Sequence, residues 1–107
     1  IHGCGLAVVM PAWMQQVCYV NPKRFADFAR RVMGVGLDAD DAAAAAQGIE
    51  AFKAWLKTMK LPLTLQELGA VDCPIEALAR HCCRKGAVGH FKPLEKADVE
   101  ALLRAAQ

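Results

Sequence analysis

The sequence predicts an all-α domain, a compact bundle of about six helices. Three observations point to it. No stretch alternates apolar and polar residues with period two, as a half-buried strand would. Alanine, the strongest helix former, recurs throughout, and β-branched residues are sparse. Gly, Pro and capping residues punctuate the 107 residues at intervals that suit about six short helices. The length fits one domain, 1–107, and a hydrophobic share of 55% is enough to build a core.

The first helix spans Gly3 to about Tyr19, and Pro11 inside it predicts a kink or break near Met10. Asn21-Pro22 restarts a helix, with Asn21 as N-cap and Pro22 at the first helical position. Phe25, Phe28, Ala29 and Val32 recur at helical spacing and should face the core; Gly34 and Gly36 end this helix. Asp38 to Met59 is the longest helical segment, with Asp38, Asp40 and Asp41 at the positive end of its dipole. Its apolar stripe is Ile49, Phe52, Leu56 and Met59, with Trp55 beside it. Gly48 is tolerated in mid-helix at a cost of about 1 kcal/mol relative to Ala.

Leu61-Pro62 stops that helix, and Thr64 to Glu67 has the spacing of a capping box on a short turn closed by Gly69. Asp72-Cys73-Pro74 opens the next helix, whose core face is Ile75, Leu78, Ala79 and Cys82, and Lys85-Gly86 ends it. A loop through Gly89, His90 and Pro93 leads to a last helix from about Glu95 to Ala106, with Val99, Leu102 and Leu103 inward.

Composition excludes several classes of function. Thirteen basic against 11 acidic residues leave a net charge of +2, with no cluster of Lys and Arg that would read phosphates, so no nucleic-acid partner is expected. The longest apolar run, Leu6 to Met14, contains Pro11 and is far too short to cross a bilayer, so no membrane partner is expected either. Five cysteines at irregular spacing do not make a disulfide framework. The expectation is reduced, buried thiols in a cytoplasmic setting. There is no initiator Met and no charged signal-peptide start, so the chain is expected to be a piece of something larger.

The candidate site residue is His2. It stands at a helix entry before Gly3-Cys4-Gly5, where bare backbone can approach another group closely, and neutral imidazole is the commonest metal ligand. Taken alone, a single histidine at a chain end is more often an exposed bystander. No Asp or Glu occurs between Ile1 and Ala26. A divalent cation at His2 would meet the positive end of a helix dipole with no local carboxylate, so its other ligands must come from elsewhere.

A second cluster, His81, Cys82, Cys83 and His90, has the ligand types for zinc but not the spacing. Adjacent cysteines on a helix point about 100° apart, which favours helix-face packing with an outward histidine. A metal or redox site at Cys82-Cys83 would require thiols open to labelling; buried ones would exclude it. Trp13, Trp55, Phe25, Phe28 and Phe52 sit at core-like spacing, and Lys23, Arg24, Arg30 and Arg31 suit a solvated face. Gly3-Cys4-Gly5 lacks the third glycine and the preceding strand of a nucleotide-binding loop.

The run His2-Gly3-Cys4-Gly5-Leu6-Ala7-Val8-Val9-Met10-Pro11 resembles the signature of the iron-containing alcohol dehydrogenases, in which a His-Gly pair opens a helix of small residues that runs to a proline. Further segments resemble the family in order: Asn21 to Phe25 with Phe28-Ala29, Gly48 to Phe52 with Trp55-Leu56, Met59 to Pro62 with Leu65 and Glu67 to Gly69, and Gly89 to Leu94 with Asp98-Val99 and Leu102-Leu103. The resemblance covers nearly the whole chain and is closest to the butanol dehydrogenase-like branch.

The resemblance implies the distal part of the C-terminal helical domain of a two-domain enzyme, in a dehydroquinate synthase-like arrangement. It implies interconversion of a small alcohol with an aldehyde or ketone, with NAD or NADP as hydride carrier. A divalent metal, iron and sometimes zinc, is held in the family by one Asp and three His, and His2 matches the last of these histidines. The other ligands and the cofactor site belong to an N-terminal part outside this sequence. Homo-oligomer formation is a further possible partnership, and the isolated chain is expected to be inactive. The alternative from another class is a stand-alone helical interaction module, or a split-enzyme subunit without catalysis of its own. Glu95 departs from the family, standing where a small hydroxyl residue often caps the last helix, which should weaken that cap.

Overall fold

The computed structural model describes residues 2–70 and 72–107, with the side chain of His2 outside that description. Among the described residues six α-helices follow one another: α1 His2–Val17, α2 Pro22–Phe28, α3 Asp41–Thr58, α4 Leu65–Leu68, α5 Ile75–Cys82 and α6 Lys96–Ala105. A 3₁₀ turn, Cys18–Val20, follows α1, and α2 runs on into a π turn, Ala29–Met33. Among the described residues the only β pairing is one antiparallel bridge, Val88 to Leu94. No helix of the described residues is long and apolar enough to cross a membrane.

The core is built on α1, which packs against α3, α4 and α6. Its Val8, Ala12, Met14 and Val17 meet Ile49 of α3, Ala79 of α5, and Val99 and Leu102 of α6. The break expected near Met10 does not occur: α1 continues through Pro11. Pro11 is itself buried, between a buried Ala7-Val8 and a buried Ala12, so packing around the helix outweighs one lost backbone donor.

Pro22 opens α2 as expected, but Asn21 makes no side-chain capping bond. The π turn then shifts the register of the apolar face. Phe25 and Ala29 are buried, Phe28 is half-buried, and Val32, expected in the core, is 69% exposed. Gly34, at φ +69°, ends the turn by sending its N–H to the Ala29 carbonyl.

Helix α3 begins three residues later than the sequence suggests, because Asp40 is the residue whose side chain accepts the Ala43 N–H, at 2.8 Å. Ile49 and Leu56 are buried and Phe52 is half-buried, whereas Met59 is 56% and Trp55 51% exposed. Met59 caps the helix end rather than extending the stripe. Gly48 is required rather than tolerated. A Cβ there would lie 2.4 Å from the Ala29 Cβ and 2.9 Å from the Ala29 Cα, so α3 crosses the start of the π turn at backbone distance. Ala26, Ala44 and Ala45 are also buried, and Ala44 packs against Gly36.

Arg30 is not part of a solvated face. It donates to Gly36 O at 3.3 Å, Ala39 O at 2.8 Å and the Asp41 carboxylate at 3.0 Å, and so clamps the loop that turns the chain into α3.

Thr64 caps α4 by accepting the Glu67 N–H at 3.1 Å, while Glu67 accepts from the Leu63 N–H, one residue earlier than a reciprocal capping box would have it. The Leu65 N–H donates to Ala106 O at 2.7 Å, which ties α4 to the end of α6. In α5, Ile75 and Ala79 are buried, but Leu78 is 43% exposed and Cys82 is exposed, against expectation. A two-turn helix docked chiefly on α6 buries only a narrow side. At α6 the weak cap expected of Glu95 is offset by Asp98, whose carboxylate accepts the Glu95 N–H at 3.0 Å. Val99 and Leu102 are buried and Leu103 is half-buried, as expected.

Two outcomes follow from this packing. Gly48→Ala adds helix propensity of about 1 kcal/mol, yet overpacking at a backbone crossing costs about 1–3 kcal/mol. The variant should therefore unfold at lower urea than the parent; an equal or higher midpoint would contradict the crossing. The second concerns Glu76, which accepts from Lys96 Nζ at 2.7 Å and so joins α5 to α6, with Arg80 at 3.3 Å beside it. The Lys96 hydrogen bond, then the charges of Arg80 and Lys96, hold the Glu76 carboxyl below its ordinary value. A carboxyl lowered by folding stabilises the native state above the ordinary carboxylate range, and that contribution is lost as pH falls through the lowered value. Glu76→Gln should melt earlier at neutral pH, with the difference closing in acid; a gap that persists in acid would exclude the linkage.

Candidate functional site

His2 is the first residue of α1, and the first turn of that helix carries no acidic residue. Gly3 and Gly5 follow within the same turn. A Cβ added at either would meet nothing within 4 Å, so no contact inside this chain requires a glycine at those positions. This end of α1 is open backbone.

The second cluster is not assembled. Among the described residues no group of three or more His, Cys, Asp or Glu is placed to hold a metal ion. His81 and His90 are exposed, Cys82 is exposed, and the Cys83 Sγ is turned toward the Leu94 carbonyl at 3.6 Å. All five thiols are free, and none is buried: Cys4, Cys18, Cys73 and Cys83 are half-buried. This corrects the expectation of buried cysteines. Cys4 lies in the open first turn of α1, Cys18 in the 3₁₀ turn after it, and Cys73, Cys82 and Cys83 at the two ends of the short α5. Partial burial pushes the Cys83 thiol above its ordinary value, and the neighbouring Cys82 adds to the effect.

Further along α1 its side chains line two apolar recesses. One, of about 380 Å³, lies between α1, α2 and α3 and is lined by Met10, Trp13, Phe25 and Phe91 among others, with Arg24 also on its wall. Three of its rings form a cluster, with centroids 6.2 Å apart for Trp13–Phe25, 5.9 Å for Trp13–Phe91 and 5.6 Å for Phe25–Phe91. The other recess, of about 630 Å³, lies between α1, α5, α6 and the Val88–Leu94 loop, and Trp13 lines it too. Of the aromatic residues expected in the core, Phe25 is buried, Trp13, Phe28 and Phe52 are packed against it, and Trp55 is not. Phe91 was not legible as a wall residue, because it sits in a loop where no helical spacing marks it. The chain thus supplies apolar walls and one histidine-bearing helix end, and no complete ligand set.

Comparison with known proteins agrees with this incomplete site. The sequence model of the Fe-containing alcohol dehydrogenase family, C-terminal, matches residues 1–107. The chain is 31% identical over 105 residues to the probable NADH-dependent butanol dehydrogenase 1 of Bacillus subtilis, covering 97% of this chain and 27% of that protein. It is 26% identical over 101 residues to NADH-dependent butanol dehydrogenase A of Clostridium acetobutylicum, covering 92% of this chain and 26% of the relative. The crystal structure of NADH-dependent butanol dehydrogenase A from Thermotoga maritima superposes with a TM-score of 0.86 at 32% identity, over 98% of this chain and 28% of that one. The chain thus spans about a quarter of the length of the relatives it matches. With the helical order, the open His-Gly turn and a match over its whole length in agreement, the chain belongs to the iron-containing alcohol dehydrogenase family, as part of its C-terminal helical domain.

Proposed function

We propose that the chain is the distal helical part of a metal-dependent, NAD(P)-linked alcohol dehydrogenase that interconverts small alcohols with aldehydes or ketones, and that His2 supplies one of its metal ligands. The observation that carries this reading is the family match across all 107 residues, beginning at the His-Gly turn of α1. The names of the relatives favour NADH as hydride carrier and a butanol-sized substrate.

The donor chemistry agrees. Imidazole suits iron and zinc alike. A single donor cannot hold either, and no carboxylate stands in the first turn of α1. The remaining donors and the hydride carrier's site would come from other parts of a longer protein. Gly3 and Gly5, which nothing inside this chain requires, are accounted for if such a part approaches the helix end closely. The bound metal would polarise the substrate oxygen as a Lewis acid. On this chain, α1 carries the histidine as its first residue. The helices from Pro22 onward brace α1 and form part of the pocket wall.

The test uses the complete gene product, by elemental analysis and by aldehyde-dependent oxidation of NADH and NADPH. About one equivalent of iron or zinc is expected, lost in His2→Ala while the helical signal and melting temperature are kept. The 107-residue polypeptide by itself should show no hydride turnover. Metal retained in His2→Ala would refute the ligand role, and no turnover with either nucleotide would refute the enzyme reading.

A further inference from the structure

Cys82 and Cys83 end α5 and play no part in the site described above. Cys82 is the last residue of the helix and exposed. Cys83 is the C-cap, at φ −99° and ψ 18°, and half-buried, with its Sγ on the Leu94 carbonyl at 3.6 Å. One thiol is thus open to solvent and the next is sheltered, which is the arrangement of an attacking and a resolving cysteine. The Arg84 N–H donates to His81 O at 3.3 Å and the Gly86 N–H to Cys83 O at 3.0 Å, so closing a bridge at Cys83 has to disturb this last turn.

We propose that Cys82 and Cys83 form a reversible redox-modification site whose oxidant is a low-molecular-weight disulfide. Cys82, as thiolate, attacks one sulfur of the oxidant. The oxidant's S–S bond breaks, a Cys82 mixed disulfide forms, and one small thiol leaves with the proton that Cys82 gave up. Cys83 then loses its proton, attacks the Cys82 sulfur and expels the second small thiol. Two protein thiols have given two electrons to one disulfide, which leaves as two thiols. Exposed Arg84 and Lys85, next in sequence, favour the approach of an anionic oxidant such as oxidised glutathione.

Adjacent Cα atoms are about 3.8 Å apart, shorter than the range of about 4.4–6.8 Å that relaxed disulfides span. The product is therefore a strained bridge, and strained, exposed disulfides are the readily reduced ones. Its formation also removes the Cys83 donor from the Leu94 carbonyl. Leu94 is held to Val88 by backbone bonds of 2.9 and 2.7 Å, and Cys82, Val88 and Leu94 all line the larger recess, so oxidation alters one wall of it.

The experiment treats the purified protein with oxidised glutathione, quenches by alkylation and reads intact and peptide masses. Free thiols should fall from five to three, with the loss of two hydrogens between Cys82 and Cys83, no glutathione retained, and full reversal by excess dithiol. Cys83→Ser should stop at a stable glutathione adduct on Cys82, and Cys82→Ser should slow the loss of the Cys83 thiol by about tenfold or more. Unchanged circular dichroism keeps either variant interpretable. A lasting adduct on Cys82 in the parent with Cys83 still alkylatable, a bridge to Cys4, Cys18 or Cys73 or between chains, or no oxidation at all would each overturn the proposal.

Discussion

A sixteen-residue helix without a single charge has to be surrounded, and the domain is arranged around that requirement. Helix α1 carries apolar or small side chains on nearly every face, and α3, α4 and α6 pack on it from different sides. Apart from His2 at its start, its polar residues are Gln15 and Gln16 near its C-terminal end. Gln16 donates to Asp98 O at 2.7 Å, which fixes the height of α1 against α6. The same requirement explains why Pro11 does not break the helix. A helix held on several sides by packing survives the loss of one backbone bond, whereas a solvent-facing helix would bend there.

The second constraint is the crossing of α3 over the start of the π turn. Side-chain volume would normally keep two such segments about 8–10 Å apart; glycine at 48 against alanine at 29 removes that volume. The Arg30 clamp then closes the loop between them with three hydrogen bonds, so the turn is held by a guanidinium rather than by apolar contact. These features set the angle at which Phe28, Phe52 and Trp55 line up, with centroids 5.9 Å apart for the first pair and 6.3 Å for the second.

The packing leaves part of α1 uncovered. Its N-terminal turn, with His2, Gly3 and Gly5, has no neighbour in the chain that needs the glycines, and Leu6 and Met10 stay partly exposed. At the far side of the bundle, α5 docks on α6 through a narrow face and a surface charge pair, and it is there that the two adjacent thiols lie.

The number and order of the helices were legible in the sequence because caps, prolines and glycines act locally: Pro22, Asp40, Thr64 and the Gly34 and Gly69 stops carry their instructions within a few residues. The His-Gly opening of α1 and the family were legible too, since a motif is a linear pattern. Periodicity also put Phe25, Ala29, Ile49, Leu56, Ile75, Ala79, Val99 and Leu102 inside, and the tertiary structure alone decided where each buried face stops. Val32 turned outward because a π turn changed the register, Leu78 and Cys82 because α5 docks chiefly on α6 through a narrow side, and Trp55 and Met59 because the core is narrower than the stripe. Gly48 and Arg30 took their roles from residues that are distant along the chain or across a loop. Local rules determine where a helix begins and ends, but burial is a property of what packs against it, and that is set by volumes and crossings no single segment contains.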